Sequence, residues 1–148
     1  MVGVVSFLLL LYSSFAGDSI KPEETARLLA ARDRPQPSVI YVGFPSLYTG
    51  AHITGAILAG PASKPNGMDQ LRQVVKDMPR NHPIVIYCGC CPFEKCPNIH
   101  PAYNALQKMG FTDIKVVVIP TNLHTDWVSK GYPTTKGPMP VAAADVKR

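Results

Sequence analysis

Continuously apolar runs alternate with amphipathic segments along the chain. Three runs rich in β-branched residues predict buried strands, at residues 38–44, 84–88 and 114–120. A shorter strand is predicted at 55–60, after a turn and a short helix that start at Pro45. The apolar pattern therefore predicts at least one sheet with several buried strands.

Three longer segments have apolar residues at helical spacing, and they cover residues 19–32, 66–78 and 100–111. Prolines end the first two because a proline cannot continue a helix. Gly110 is positioned as the C-cap of the third. A further short helix is predicted within 121–133.

Buried strands that alternate with helices predict an α/β fold with a central, mostly parallel sheet and helices on both faces. In such folds, reactive groups lie in the loops beyond the carboxyl ends of the strands. Cys88 ends the strand predicted at 84–88. It therefore occupies a position suited to a reactive group.

The first 16 residues carry an apolar core that is shorter than the ~20 residues of a bilayer-spanning helix. Ser14 and Ala16 are the small residues that precede a cleavage point. We therefore predict a signal peptide over 1–16 and a secreted or periplasmic protein. Because the segment has no Lys or Arg, an uncleaved membrane anchor and a buried helix remain alternatives.

The length of 148 residues suits one domain, which we predict at 18–135, followed by a loose tail at 136–148. The net charge is +5, but the basic residues are scattered and do not alternate with aromatic ones. We therefore expect no nucleic-acid partner. We expect a monomer that contacts a membrane only through an uncleaved leader, and a positive field that favours a small anionic substrate.

All four cysteines lie close together, at Cys88, Cys90, Cys91 and Cys96. A disulfide between adjacent residues is strained, so a bridge from Cys96 to another cysteine is the more natural one. The four thiolates could instead hold a soft ion such as zinc or copper, although their spacing is not a common zinc pattern. A reactive centre is the third alternative. No Arg follows them before Arg148, which argues against a phosphate-gripping Cys-x5-Arg loop.

Four local matches give the chain a resemblance to the rhodanese family. Residues 51–56 (AHITGA) look like the first signature of that family, and 84–88 (IVIYC) like the strand that delivers its catalytic cysteine. Residues 105–117 look like its next helix, Gly-aromatic cap and strand, and 127–133 like its closing W-x-x-x-G-Y-P. The extended cysteine-rich loop resembles an exported bacterial subgroup of the family.

The resemblance implies a rhodanese-like sulfurtransferase in which Cys88 carries a sulfane sulfur as a persulfide. Backbone N–H groups of the loop and the next helix N-terminus would lower the pKa of its thiol, and Asn98 would cap that helix. His52 and Trp127 are expected near the site in structural roles. The expected cradle consists of Gly89, Cys90, Cys91, Lys95, Cys96 and Asn98.

The chain departs from the family pattern at the places of a usual Asp and Arg, which hold Tyr41 and Gly43. Lys95 is the only cationic side chain inside the loop, which weakens the case for thiosulfate. The expected partners are a small anionic sulfur donor and a thiol acceptor. Two alternatives stay open, a non-catalytic module that binds a soft metal or a partner, and an envelope thiol–disulfide redox protein.

Overall fold

The computed structural model describes residues 18–138, so the predicted leader and the end of the predicted tail lie outside the described residues. The strands in chain order are β1 (Ser19–Ile20), β2 (Ser38–Tyr41), β3 (His52–Ile53), β4 (Ile57–Leu58), β5 (Ile84–Tyr87), β6 (Ile114–Val117) and β7 (Thr134–Thr135). Five of them form a central sheet in the order β1-β6-β5-β2-β4, and each neighbouring pair is parallel. Strands β3 and β7 form a separate antiparallel pair.

The helices are α1 (Pro22–Ala30), α2 (Pro45–Gly50), α3 (Pro65–Val75), α4 (Ile99–Lys108) and α5 (Leu123–Asp126). The first three begin with a proline in the first turn, where its missing N–H has no helical partner to lose. Among the helices of residues 18–138, none has the length and apolar character needed to cross a membrane.

Side chains of the central sheet alternate between two apolar clusters, one on each face. Ile84 and Ile86 pack with Leu71 of α3 and Leu106 of α4. On the other face, Val85 and Tyr87 pack with Tyr48 of α2 and Leu123 of α5. The predicted α/β fold, with a mostly parallel sheet between two helical layers, is therefore confirmed.

Strand β1 was not predicted, because the pattern assigned Ser19 and Ile20 to the first helix. The two residues instead pair in parallel with Val116 and Val117 of β6. A two-residue strand carries no detectable period, so only this distant pairing defines it.

The register between β2 and β5 determines what surrounds the residue after β5. Tyr41 lies opposite Tyr87, and the N–H of Val42 donates to the Tyr87 carbonyl at 2.9 Å. Cys88 follows β5 directly and Gly43 lies two residues beyond β2, and the two meet at the carboxyl edge of the sheet, where a Cβ on Gly43 would lie 2.9 Å from the Cys88 sulfur.

Truncation of Leu106 tests how firmly α4 is held against the sheet. This side chain is fully buried, so Leu106→Ala should leave a cavity and lower the free energy of unfolding by about 2–5 kcal/mol. The control is Leu47→Ala, because Leu47 is 48% exposed and its loss should cost less than about 0.5 kcal/mol. Urea unfolding measures both. Equal losses would contradict this packing.

Candidate active site

Cys88 lies directly beyond β5, the middle strand of the central sheet. Its side chain continues the face of Ile84 and Ile86, beneath α3 and α4, and is 3% exposed. The fold thus places Cys88 at the carboxyl edge of the sheet, in the position expected from the sequence.

The chain turns sharply at Gly89, which has a φ of +75°. A side chain there would be strained, and its Cβ would lie 2.8 Å from the Cβ of Leu123. The Gly89 carbonyl accepts the N–H of Leu123 at 3.0 Å. Glycine thus lets the cysteine loop pack against the start of α5.

The cysteine loop, residues 88–98, folds back on itself before α4 begins. The N–H of Phe93 donates to the carbonyl of Ile119 at 2.9 Å, beyond the end of β6. A short 3-10 helix follows at Phe93–Lys95, and the N–H of Cys96 donates to the Phe93 carbonyl at 3.1 Å. This path returns Cys96 to the interior, where it is 6% exposed.

Three sulfur atoms meet at the site, those of Cys88, Cys90 and Cys96, all within 4.8 Å of one another. The Cys88 and Cys90 sulfurs are 3.3 Å apart. The Cys91 sulfur contacts that of Cys90 at 3.1 Å but does not belong to this three-sulfur group. All four cysteines are free thiols.

Asn98 holds Cys88 from the side of α4. Its fully buried side chain accepts the N–H of Ser63 at 3.0 Å through Oδ1 and donates from Nδ2 to the Cys88 sulfur at 3.4 Å. Asn98 occupies the N-cap position of α4, but its side chain makes no cap hydrogen bond, so the predicted capping role is wrong. Both ends of the amide are satisfied by the loop before α3 and by the thiol instead.

The backbone N–H groups at the start of α4 interact with the sulfur of Cys96 rather than with that of Cys88. The nearby Cys88 thiol and the backbone N–H groups of Asn98 and Ile99 lower the pKa of Cys96 below its ordinary value. These neighbours therefore favour the charged form of Cys96.

The pKa of Cys88 moves in the opposite direction. Interaction with the nearby Cys96 sulfur, together with burial, raises it above the ordinary value. The N–H of Cys90 and the amide of Asn98 act in the opposite direction, because they stabilise a charged Cys88 sulfur. The expectation that the helix N-terminus lowers the pKa of Cys88 is therefore wrong for the resting site.

A cavity of about 470 Å³ opens in front of Cys88 and Cys90. Its wall is formed mainly by α2, by the loop and by the start of α5, with Leu47 and Asn122 among the lining residues. Within residues 18–138, no Lys, Arg, Asp or Glu contributes to this wall. Cys96 is also not part of this wall, although its sulfur lies within 4.8 Å of that of Cys88.

Tyr41 and Gly43 fill the places where the family usually has an Asp and an Arg. The Tyr41 side chain is buried and its hydroxyl donates to the Phe44 carbonyl at 3.2 Å. Burial and the neighbouring thiols raise its pKa, so it is neutral. A Cβ on Gly43 would lie 2.9 Å from the Cys88 sulfur and 2.6 Å from the Tyr41 hydroxyl oxygen. These two positions thus supply close packing and no charge.

The remaining predicted cradle residues lie further from the cavity. Lys95 is exposed at the end of the 3-10 helix and does not line the cavity wall. Cys91 is partly exposed, and burial and its neighbour Cys90 raise its pKa to about 12.

His52 and Trp127 are both buried and make contacts that stabilise the fold. The His52 ring stacks on that of Tyr48 with centroids 3.7 Å apart, and its Nδ1 donates to the Tyr48 carbonyl at 2.8 Å. The indole N–H of Trp127 donates to the Pro133 carbonyl at 3.0 Å.

Sequence reasoning missed several residues of the site. Leu47 and Asn122 line the cavity, and Ser63 orients Asn98. These residues come from three different segments and have no common spacing, so only the folded chain brings them together.

The three-sulfur group has the composition of a soft-metal site. Tetrahedral zinc with bonds of about 2.3 Å separates its sulfur ligands by roughly 3.8 Å, which is compatible with this group. Within the described residues, no His, Asp or Glu completes the group as a fourth ligand. Three thiolates alone would suit Cu(I) better than zinc.

Solved structures similar to this chain share its fold. The crystal structure of the Alr3790 protein from Anabaena sp. is 18% identical, with 80% of this chain and 92% of that chain covered and a TM-score of 0.61. The BH2092 protein from Bacillus halodurans is 17% identical over 80% of this chain and 76% of that chain, with a TM-score of 0.58. EanB is 20% identical over 80% of this chain and 27% of that chain, with a TM-score of 0.56.

A search of the curated proteins found no significant match. The family model described as Rhodanese-like domain matches residues 22–118, from the start of α1 to the end of β6. That range contains the central strand, the cysteine loop and α4, and the match confirms the resemblance seen in the sequence. The chain therefore belongs to the rhodanese-like domain family.

Proposed function

We propose that this chain is a sulfurtransferase that carries a sulfane sulfur as a persulfide on Cys88. The family match and the cluster of cysteines beyond β5 support a sulfurtransferase-type domain. The observation that carries the assignment to Cys88 is that its sulfur faces the cavity and receives hydrogen bonds from Asn98 and from the N–H of Cys90. These donors would stabilise a negative sulfur at this position.

Loading begins with a proton transfer from the Cys88 thiol to the Cys96 thiolate, whose sulfurs lie within 4.8 Å of each other. Cys88 passes its proton to the Cys96 thiolate and becomes the nucleophile. Its sulfur attacks the outer sulfur of the donor, and the sulfur–sulfur bond of the donor breaks. The bonding electron pair leaves with the rest of the donor, and Cys88 holds the transferred sulfur as Cys88–S–S⁻.

The proposed donor is a small anionic molecule whose charge lies on sulfur, such as a low-molecular-weight persulfide. Leu47 and Leu123 make much of the cavity wall apolar, and among residues 18–138 the wall includes His124 but no Lys or Arg. A donor with a large oxyanion group would find no guanidinium or ammonium partner there. A thiol that enters the same cavity would accept the outer sulfur and release Cys88.

The second candidate is a module that binds a soft metal, and the three-sulfur group is the observation that favours it. In the first candidate Cys88 carries a sulfane sulfur, and in the second it is a ligand of a metal ion. Protein purified without oxygen that contains one copper ion per chain and takes up no sulfur from any donor would favour the metal module.

Replacement of Cys88 tests the persulfide assignment. When the reaction with a low-molecular-weight persulfide is quenched at early times, the wild-type chain should show a gain of about 32 Da, one sulfur atom, mapped to Cys88. Cys88→Ser should gain no sulfur at that position, because a hydroxyl cannot form the persulfide. Intact-mass and peptide mass spectrometry measure the gain, and thermal unfolding checks that the variant folds. A gain that maps to another cysteine in the wild type would contradict the assignment.

Asn98→Asp tests the hydrogen bond to the Cys88 sulfur. The variant keeps an acceptor for the N–H of Ser63 but places a negative charge where a donor lies 3.4 Å from that sulfur. The initial rate of loading should fall about 10–100-fold, since a hydrogen bond to a charged group contributes about 1.5–3 kcal/mol. The pH profile of loading should move to higher pH, because the new charge disfavours the Cys88 thiolate.

Asn104→Asp is the matched control, because Asn104 is an exposed residue of the same helix α4. It should load at the wild-type rate across the pH range. If the two Asp variants load equally fast at every pH, Asn98 does not stabilise the reacting sulfur.

A further inference from the structure

The two neighbours of Cys88 within the three-sulfur group lie in different surroundings. Cys90 lines the cavity together with Cys88. Cys96 is buried, lies within 4.8 Å of the Cys88 sulfur and does not line the cavity. A sulfur carried by Cys88 and directed into the cavity would therefore extend away from Cys96.

We propose that Cys96 is a resolving cysteine, which attacks the persulfide on Cys88 and releases its outer sulfur into the cavity as hydrosulfide. This role rests on the proposed function, because it requires a persulfide on Cys88. With this role, the site reduces sulfane sulfur as well as transferring it to an external thiol.

The geometry suits displacement at sulfur. In thiol–disulfide exchange the entering sulfur, the attacked sulfur and the leaving sulfur lie nearly in line. Cys96 is buried with its sulfur within 4.8 Å of that of Cys88, and the cavity that Cys88 lines would receive the leaving group. Side-chain rotation must bring the two sulfurs from within 4.8 Å to a bond of about 2.05 Å.

The step balances without a further reactant. A bond forms between the sulfurs of Cys96 and Cys88, and the bond between Cys88 and its outer sulfur breaks. The electron pair of the broken bond leaves on the outer sulfur, which takes the proton that Cys96 received during loading and departs as HS⁻. The sulfane sulfur is reduced and the two cysteines are oxidised to a disulfide, which an external dithiol must reduce before the next turnover.

The environment of Cys96 also fits an attacking thiol. The backbone N–H groups of Asn98 and Ile99 at the start of α4 stabilise a negative charge on the Cys96 sulfur, and these two donors do not depend on the Cys88 thiol.

Cys90 is less suited to this role, although its sulfur is 3.3 Å from that of Cys88. A bridge between them must close around Gly89 alone, and the left-handed turn of that residue is tied to Leu123 by a 3.0 Å hydrogen bond. A bridge to Cys96 closes the longer loop and needs no change at Gly89.

The test follows the fate of the sulfur after the chain receives one equivalent of glutathione persulfide. The wild type should release close to one hydrosulfide per chain and show a Cys88–Cys96 disulfide in peptides mapped without reduction. In Cys96→Ser and in Cys96→Ala, the persulfide should persist on Cys88 and hydrosulfide release should fall at least about tenfold. Ser places a hydroxyl in the buried position of Cys96, and Ala does not. An effect that both variants share is therefore due to loss of the thiol rather than to poor folding.

Cys91→Ser is the comparison in the same loop, because the Cys91 sulfur lies outside the three-sulfur group. Its Cys88–Cys96 bridge should still form. A lasting persulfide in the wild type, unchanged hydrosulfide release in both Cys96 variants, or a bridge from Cys88 to Cys90 would overturn the resolving role and leave the proposed function intact. If neither the wild type nor the Cys96 variants gain sulfur on Cys88, both proposals fail.

Discussion

The closeness of the Cys88 and Cys96 sulfurs, which lie within 4.8 Å of each other, is the constraint on which the site depends. One sulfur is delivered by the middle strand of a parallel sheet and the other by the residue two positions before Asn98, at the entrance to α4. The loop between them must turn sharply at Gly89 and return through the 3-10 helix to close this contact. Because both sulfurs are buried at this distance, the protonation of one affects the pKa of the other.

Among residues 18–138, no Lys or Arg lines the cavity, and the negative charge of the site is stabilised by N–H donors. Backbone N–H groups at the start of α4 stabilise the Cys96 thiolate, and the amide of Asn98 contacts the Cys88 sulfur. At the positions of the usual Asp and Arg, Tyr41 and Gly43 pack against the thiol instead. The N–H donors stabilise negative charge on the sulfurs, and the low-polarity cavity wall offers no charged partner to other parts of a substrate.

Much of the architecture could be predicted from the order of apolar segments. The strands that form the centre of the sheet are long enough to show an uninterrupted apolar pattern, and α3 and α4 show helical spacing. Strand β1 could not be predicted, because Ser19 and Ile20 have only a distant pairing to define them. The capping role expected for Asn98 was wrong for a related reason, since its partners Ser63 and Cys88 come from other segments.

The sequence by itself determined the class of fold, the family pattern and the place of Cys88 beyond a central strand, because these follow from local periodicity and the order of elements. Only the tertiary structure decided which thiol carries the charge. That choice depends on where the N–H groups of α4 point and on the distance between two sulfurs, and both are determined by the path of the loop. It also decided which of the cysteines face the cavity, because exposure depends on the packing of α2 and α5 around the loop.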